Sequence, residues 1–193
     1  MTEPLLAIFV GGASSRMGTD KGLLPAPGGG RTILEALVER GAEAGLPTVF
    51  VGRAAPYDAI APKVPRIADV PAGAGPLGGL NAALRTAREQ QSARVIAVAC
   101  DMPYVTAHVL RALAEHPSSA AVLSPRRGAE APWEPMLARY DVKAIGDVLD
   151  AAIARGRRSF QGLFASLEVD ALPVTDEVAR ALRDWDAPGD IPH

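Results

Sequence analysis

Short apolar runs alternate with helix-forming stretches along almost the whole chain, and this alternation limits the fold more than any other feature. Leu5 to Val10 is an apolar run that ends in Gly11-Gly12, the pattern of a buried first strand. Thr32-Ile33-Leu34-Glu35 has the capping-box spacing. Leu34, Leu37 and Val38 then share one helical face until Gly45 stops the helix. Strands are expected at Thr48 to Val51, at Val64 to Ile67 and, most strongly, at Val95 to Ala99. A helix through Leu77, Leu80, Leu84 and Ala87 precedes the last of these. Thr106 caps a helix to about Glu115, Ala120 to Leu123 reads as a strand, and Arg126 to Trp133 is an irregular connection before a strand at Pro135 to Tyr140. Asp141 starts a helix to about Arg155, Ser159 starts another, Leu167 to Leu172 is a late strand, and Glu177 to Leu182 a short final helix. Alternating strands and helices over 193 residues, with no repeat and no linker, predict one three-layer α/β domain with a mostly parallel sheet. Such sheets bind ligands at the carboxyl ends of their strands, where Gly11 and Asp101 both fall.

Composition removes several functions. A net charge of -2 and an aromatic content of 5% do not suit phosphate neutralisation or base stacking, so no nucleic-acid partner is expected. No apolar run approaches the roughly 20 residues of a membrane helix, so no membrane partner is expected either. Met1-Thr2-Glu3-Pro4 carries no basic stretch and does not read as a signal peptide. Cys100 is the only cysteine, and the three histidines lack metal-ligand spacing, which leaves no disulfide framework and no zinc cluster. The expectation is a cytoplasmic globular protein.

Two segments could carry chemistry. The loop from Gly11 to Lys21 is neither a Walker A loop nor a dinucleotide fingerprint. Its glycines and small residues allow backbone N–H groups to approach phosphate oxygens, while Arg16 and Lys21 add fixed positive charge. The bland alternative is a turn with two solvated cations. Lysine is otherwise rare, at Lys63 and Lys143 alone. Asp101 follows the strongest strand and is placed to hold a hard cation such as Mg²⁺, although a turn-forming role fits that position equally well. Cys100 reads as an apolar filler. Asp69, Asp184 and Asp186 are further carboxylates, each alone a turn former more often than a ligand. The glycines from Gly73 to Gly79 fit close approach to a flat ligand and tight helix packing equally well. Arg157-Arg158 could meet an anionic substrate, but a charged pair on a loop is usually just solvated.

Together, Gly11-Gly12-Ala13-Ser14-Ser15-Arg16-Met17-Gly18-Thr19-Asp20-Lys21, Gly75-Pro76-Leu77-Gly78-Gly79-Leu80 and Cys100-Asp101-Met102-Pro103-Tyr104 resemble the nucleotidyltransferase superfamily, and within it the molybdenum cofactor guanylyltransferases. Trp133 to Tyr140, Gly156 to Phe160 and Asp184 to Ile191 resemble later motifs of that family, so the likeness covers nearly the whole chain. It implies a Rossmann-like nucleotidyltransferase domain over residues 1–193. The family joins GMP from GTP to molybdopterin cofactor and releases pyrophosphate, with Mg²⁺. It implies GTP and molybdopterin cofactor as partners, with molybdoenzymes or other cofactor-biosynthesis proteins beyond them.

By this resemblance Gly11, Gly12 and Lys21 bind the GTP phosphates, Asp69 and the glycines near Gly78 help hold the nucleoside, and Asp101 binds Mg²⁺. Phe9-Val10-Gly11-Gly12 stands where the family opens Leu-Ala-Gly-Gly, so Val10 is expected to crowd a position close to the nucleotide. Gly52 stands at the position of an Asn near the ribose. Asp186 replaces an Asn and adds charge beside the implied metal. Lys21, Arg16 and Asp101 are the implied catalytic groups, with Asp101 and Asp186 as the metal pair. Cytidylyl transfer to the same cofactor, another small-phosphate nucleotidyl transfer, and a non-catalytic nucleotide-binding module are the alternatives.

Overall fold

The computed structural model describes residues 2–10, 20–52, 57, 59–183 and 185. Seven strands form one sheet: β1 (Leu5–Phe9), β2 (Thr48–Val51), β3 (Arg66–Ile67), β4 (Arg94–Ala99), β5 (Val122–Ser124), β6 (Leu137–Asp141) and β7 (Val169–Ala171). Their order is β3-β2-β1-β4-β6-β5-β7. The pairs β3–β2, β2–β1, β1–β4 and β5–β7 are parallel, while β6 runs antiparallel to both β4 and β5. The mostly parallel sheet of the sequence reading is therefore present, with β6 inserted in reverse. An apolar run does not encode its own direction, which is why the reversal was not visible in the sequence.

The helices are α1 (Ile33–Glu43), α2 (Pro76–Glu89), α3 (Ala107–Glu115), α4 (Val142–Ala154), α5 (Phe160–Phe164) and α6 (Asp176–Ala181). The two-residue period of β1 divides them between the faces of the sheet. Leu6, Ile8 and Val10 are buried with Ile33, Leu34 and Leu37 of α1, with Val109 and Leu113 of α3, and with Val178 of α6. Leu5 and Ala7 are buried with Leu77, Leu80 and Leu84 of α2, with Ile145 and Leu149 of α4, and with Leu163 of α5. No helix among the described residues is long and apolar enough to cross a membrane.

Local chemistry fixes the helix starts. Thr32 and Glu35 form the expected capping box: the Thr32 hydroxyl accepts from the Glu35 amide at 3.2 Å, and the Glu35 carboxylate accepts from the Thr32 amide at 2.7 Å. Thr106, Asp141, Ser159 and Thr175 cap α3, α4, α5 and α6 in the same way, each accepting from backbone N–H groups in the first turn. At the other end of α3, the buried guanidinium of Arg139 on β6 donates to the carbonyls of Leu113 at 2.8 Å and of His116 and Ser118 at 2.7 Å each. Burial lowers this guanidinium to about 10, so it stays charged at neutral pH beside the negative end of the helix.

The capping box gives a stability prediction. Thr32→Ala removes the hydroxyl cap and should lower unfolding free energy by about 1–2 kcal/mol, measured by urea denaturation at pH 7. Bonds to the Thr32 amide and hydroxyl hold the Glu35 carboxyl below its ordinary value. Its contribution is thus full above that ordinary value, about 4.3, and is lost as pH falls through the lowered folded value. A Thr32→Ala protein as stable as the parent at pH 7 would remove the cap from the account.

Candidate active site

The order of strands reverses between β1 and β4. From β1 the chain steps through α1 to β2 and on to β3; it then crosses through α2 to β4 on the other side of β1. The carboxyl ends of β1 and β4 thus bound a crevice of the kind open α/β sheets use for ligands. The ladder extends to this rim, where the Cys100 amide donates to the Phe9 carbonyl at 3.1 Å.

Lys21 and Asp101 meet there. Lys21 opens a single 3-10 turn, Lys21–Leu23, and its ammonium donates to the Asp101 carboxylate at 2.9 Å. The two side chains are 15% and 24% exposed, so the pair is partly desolvated yet still open to a solute. The Asp101 carbonyl accepts from the Trp185 amide at 3.1 Å, and Trp185 packs edge-on against Tyr104 with ring centroids 6.1 Å apart. Tyr57, 2% exposed, lies with its ring edge and hydroxyl against Gly22. Burial, with the Asp101 charge beside it, pushes the Cys100 thiol up to about 12. Burial likewise raises the Tyr57 hydroxyl. Both stay protonated at neutral pH and offer neither a base nor a nucleophile.

The other expected residues among those described stand at the ends of β1, β2 and β3 and in the first turn of α2. The Phe9 carbonyl is engaged by Cys100, and the Phe9 ring lies under α2 beside Gly79. The Val10 side chain is fully buried in the core with Leu6 and Ile8. Gly52 follows β2 with its amide on the Ile67 carbonyl at 3.0 Å. Asp69 is half-buried just past β3, three strand spacings, or about 14 Å, from β4. Gly78 resolves toward packing: a Cβ there would stand 2.8 Å from the Pro71 carbonyl oxygen, and the Val70 amide donates to the Gly78 carbonyl at 3.0 Å. A Cβ on Gly79 would likewise stand 2.8 Å from Phe9 Cε1 and 2.9 Å from Val51 Cγ1. Gly11, Gly12, Arg16 and Asp186 lie outside the described residues. Tyr57 and Trp185 were missed by the sequence reading. For Tyr57 the only signal is a large aromatic residue in a chain with few rings, whereas Trp185 lies inside the Asp184 to Ile191 motif.

The donor set can be tested against Mg²⁺. Asp101 offers a hard, accessible carboxylate, and the neighbouring thiol stays protonated. Among the described residues, no group of three or more His, Cys, Asp or Glu side chains converges on a metal site. One carboxylate suits an ion that takes the rest of its coordination from substrate phosphates and water, and does not suit a resident ion caged by protein.

A family model described as the MobA-like NTP transferase domain matches residues 6–172. A probable molybdenum cofactor guanylyltransferase of Opitutus terrae is 32% identical over 192 residues, covering 95% of this chain and 91% of that protein. Another, from Mycobacterium tuberculosis, is 33% identical over 165 residues, covering 84% and 80%. Among solved structures, molybdopterin-guanine dinucleotide biosynthesis protein A from Archaeoglobus fulgidus aligns with a TM-score of 0.76 at 27% identity, covering 96% of this chain and 93% of that one.

The environment of Cys100 sets its reactivity. At pH 8 the folded protein should react with iodoacetamide at least about a hundredfold more slowly than the urea-unfolded chain, because thiolate is the reacting form. Mass spectrometry of timed samples reads this directly. Equal rates in the two states would show an ionised, available thiol and overturn the assignment of Cys100 as inert.

Proposed function

The chain belongs to the MobA-like NTP transferase family and is a nucleotidyltransferase, and we propose that it transfers GMP from GTP to molybdopterin cofactor with release of pyrophosphate. The observation that carries this reading is the Lys21–Asp101 pair at the point where the strand order reverses. A triphosphate needs positive charge and a metal ligand side by side, and this pair supplies both. The relatives from Opitutus terrae and Mycobacterium tuberculosis support the choice of guanylyl transfer and of acceptor.

Lys21 would exchange its contact with Asp101 for the nucleotide phosphates, and the Asp101 carboxylate would hold the Mg²⁺ that the nucleotide carries. When bound, Mg²⁺ neutralises phosphate charge and stabilises the leaving pyrophosphate. An oxygen of the acceptor's terminal phosphate attacks the α-phosphorus of GTP in line. A new P–O bond forms there, and the bond to the bridging oxygen breaks with its electron pair passing to pyrophosphate. Lys21 offsets the charge that builds on the leaving oxygens. Arg16 and the amides of Gly11 and Gly12 are proposed to join it. A phosphate monoester is already largely dianionic near neutral pH, so no general base is required, in keeping with the protonated Cys100 and Tyr57. Asp69 and Gly52, toward the β3 edge, are proposed to meet the nucleoside, at a distance from Asp101 that a bound nucleotide would bridge. Gly78 is proposed to shape that end through its tight contact with the Pro71 loop, and Phe9 and Val10 to set the start of the phosphate loop. The reaction uses small soluble substrates, which fits the proposed cytoplasmic location.

Three variants and one competition test the reading. Lys21→Ala should weaken Mg²⁺–GTP binding roughly 10- to 150-fold by calorimetry, the loss of about 1.5–3 kcal/mol from a charge-assisted contact. Asp101→Asn should abolish pyrophosphate release while keeping the parent melting temperature. Asp186→Asn should stay active and at most need more Mg²⁺; a dead but folded protein would give that carboxylate a larger role. GTP should bind in preference to CTP and ATP. An active Asp101→Asn with ordinary Mg²⁺ dependence would end the metal role, and equal affinity for CTP would move the assignment to cytidylyl transfer.

A further inference from the structure

β6 runs antiparallel to β4 and β5, so the connection from β5 to β6 lies at the same rim as the carboxyl end of β4. The Ala99 amide donates to the Met136 carbonyl there at 3.3 Å, two residues before Asp101. The Glu134 amide donates to the Pro125 carbonyl at 3.0 Å, and the buried Ser124 hydroxyl donates to the Glu134 carbonyl at 2.9 Å. These bonds close the base of the connection and bring Arg126 to Trp133. The Arg126 guanidinium lies over the Trp133 ring, its carbon 4.3 Å from the ring centroid. The Gln161 side chain, on α5, accepts from the Trp133 amide at 3.3 Å and donates to the Trp133 carbonyl at 2.7 Å. The Trp133 ring also packs against the buried cluster on that face of the sheet. Arg127 donates to the Leu182 carbonyl, three residues before Trp185, whose amide holds the Asp101 carbonyl. A half-buried cation is thus held over the face of an aromatic ring, and hydrogen bonds tie its loop to the Asp101 corner.

Gly52 and Asp69, the proposed nucleoside end, stand toward β3, whereas β6 and β5 lie on the other side of β4 in the strand order. The β6–β5 side is where a second substrate can approach Asp101 without displacing the first. We propose that the Arg126–Trp133 stack is a subsite for the ring of the acceptor, a flat pterin-type heterocycle that carries a phosphate. The ring stacks on the outer side of the guanidinium, which Trp133 supports from beneath. The arginine charge also favours a ligand that is anionic elsewhere. Because Trp133 already orders Arg126, little rotamer freedom remains to be lost on binding. The identity of the ligand rests on the nucleotidyl-transfer reading above, which supplies a phosphate-bearing acceptor, whereas the stack itself is a feature of the fold.

The probe is a pterin with a phosphorylated hydroxymethyl side chain, titrated by its own fluorescence, with Mg²⁺–GTP affinity measured separately by calorimetry. Arg126→Ala and Trp133→Leu should each weaken the pterin phosphate roughly 5- to 150-fold, the range for losing one stacked ring. Neither should change Mg²⁺–GTP affinity by more than about twofold. Trp133→Phe keeps a ring beneath the guanidinium and should stay within about threefold of the parent. Arg126→Lys keeps the charge without the plane and should lose affinity as Arg126→Ala does. Parent-like binding by Arg126→Lys would reduce the site to a charge and overturn the stack. A parent that does not bind the pterin phosphate, or variants that lose Mg²⁺–GTP to the same degree, would overturn the acceptor subsite. If the parent binds the probe but no Mg²⁺–GTP, the nucleotidyl-transfer reading fails separately, and the variants still decide the pterin site. Should Trp133→Leu not fold, Arg126→Ala and Arg126→Lys decide by the same criteria.

Discussion

An ammonium and a carboxylate held 2.9 Å apart at the mouth of a mostly parallel sheet are costly to arrange. Both side chains have lost most of their water, and neither would stay there unpaired without a penalty of several kcal/mol in the fully buried limit. The surrounding structure supplies that arrangement. β1 and β4 bring their carboxyl ends together, the Cys100 amide continues their ladder to the Phe9 carbonyl, and the Trp185 amide holds the Asp101 carbonyl from the other side. The pair is mutual compensation in the absence of a ligand. It also presents one positive and one negative group that a metal-bearing polyphosphate can engage together.

Much of this was legible in the sequence, for physical reasons that differ from residue to residue. The two-residue period of Leu5 to Val10 and the Thr32-to-Glu35 capping box act over a few residues, so the elements they define appear where expected. The later strands begin one or two residues away from the apolar runs. Val122–Ser124 replaces Ala120 to Leu123, and Leu137–Asp141 replaces Pro135 to Tyr140. Pairing with neighbours, not hydrophobicity, sets those ends. Lys21 and Asp101 were each visible as candidates. Their contact was not, because it joins residues 80 positions apart and no local pattern encodes it. Gly78 was ambiguous between ligand approach and packing, and the nearby Pro71 carbonyl accounts for it by packing.

What the sequence left out is mostly burial away from periodic segments. Tyr57 follows no amphipathic pattern, so nothing local marks it as 2% exposed and packed against Gly22, one residue after Lys21. Arg139 lies inside a strand motif, where a charge would suggest a solvent face. It is instead buried because three carbonyls around the end of α3 receive its guanidinium. Arg139 shows the principle: a charged group is admitted to this interior where its hydrogen bonds are met by backbone from a distant segment.

The central claim is that the Lys21–Asp101 pair is the docking point for the phosphates of a nucleotide and the ion that accompanies them. A crystal structure with a non-hydrolysable GTP analogue and Mn²⁺ in place of Mg²⁺ tests it most directly. The account expects an anomalous Mn²⁺ peak beside the Asp101 carboxylate, phosphate oxygens against the Lys21 ammonium, and the direct ion pair opened. An analogue bound elsewhere on the molecule, with Lys21 and Asp101 still joined, would contradict it.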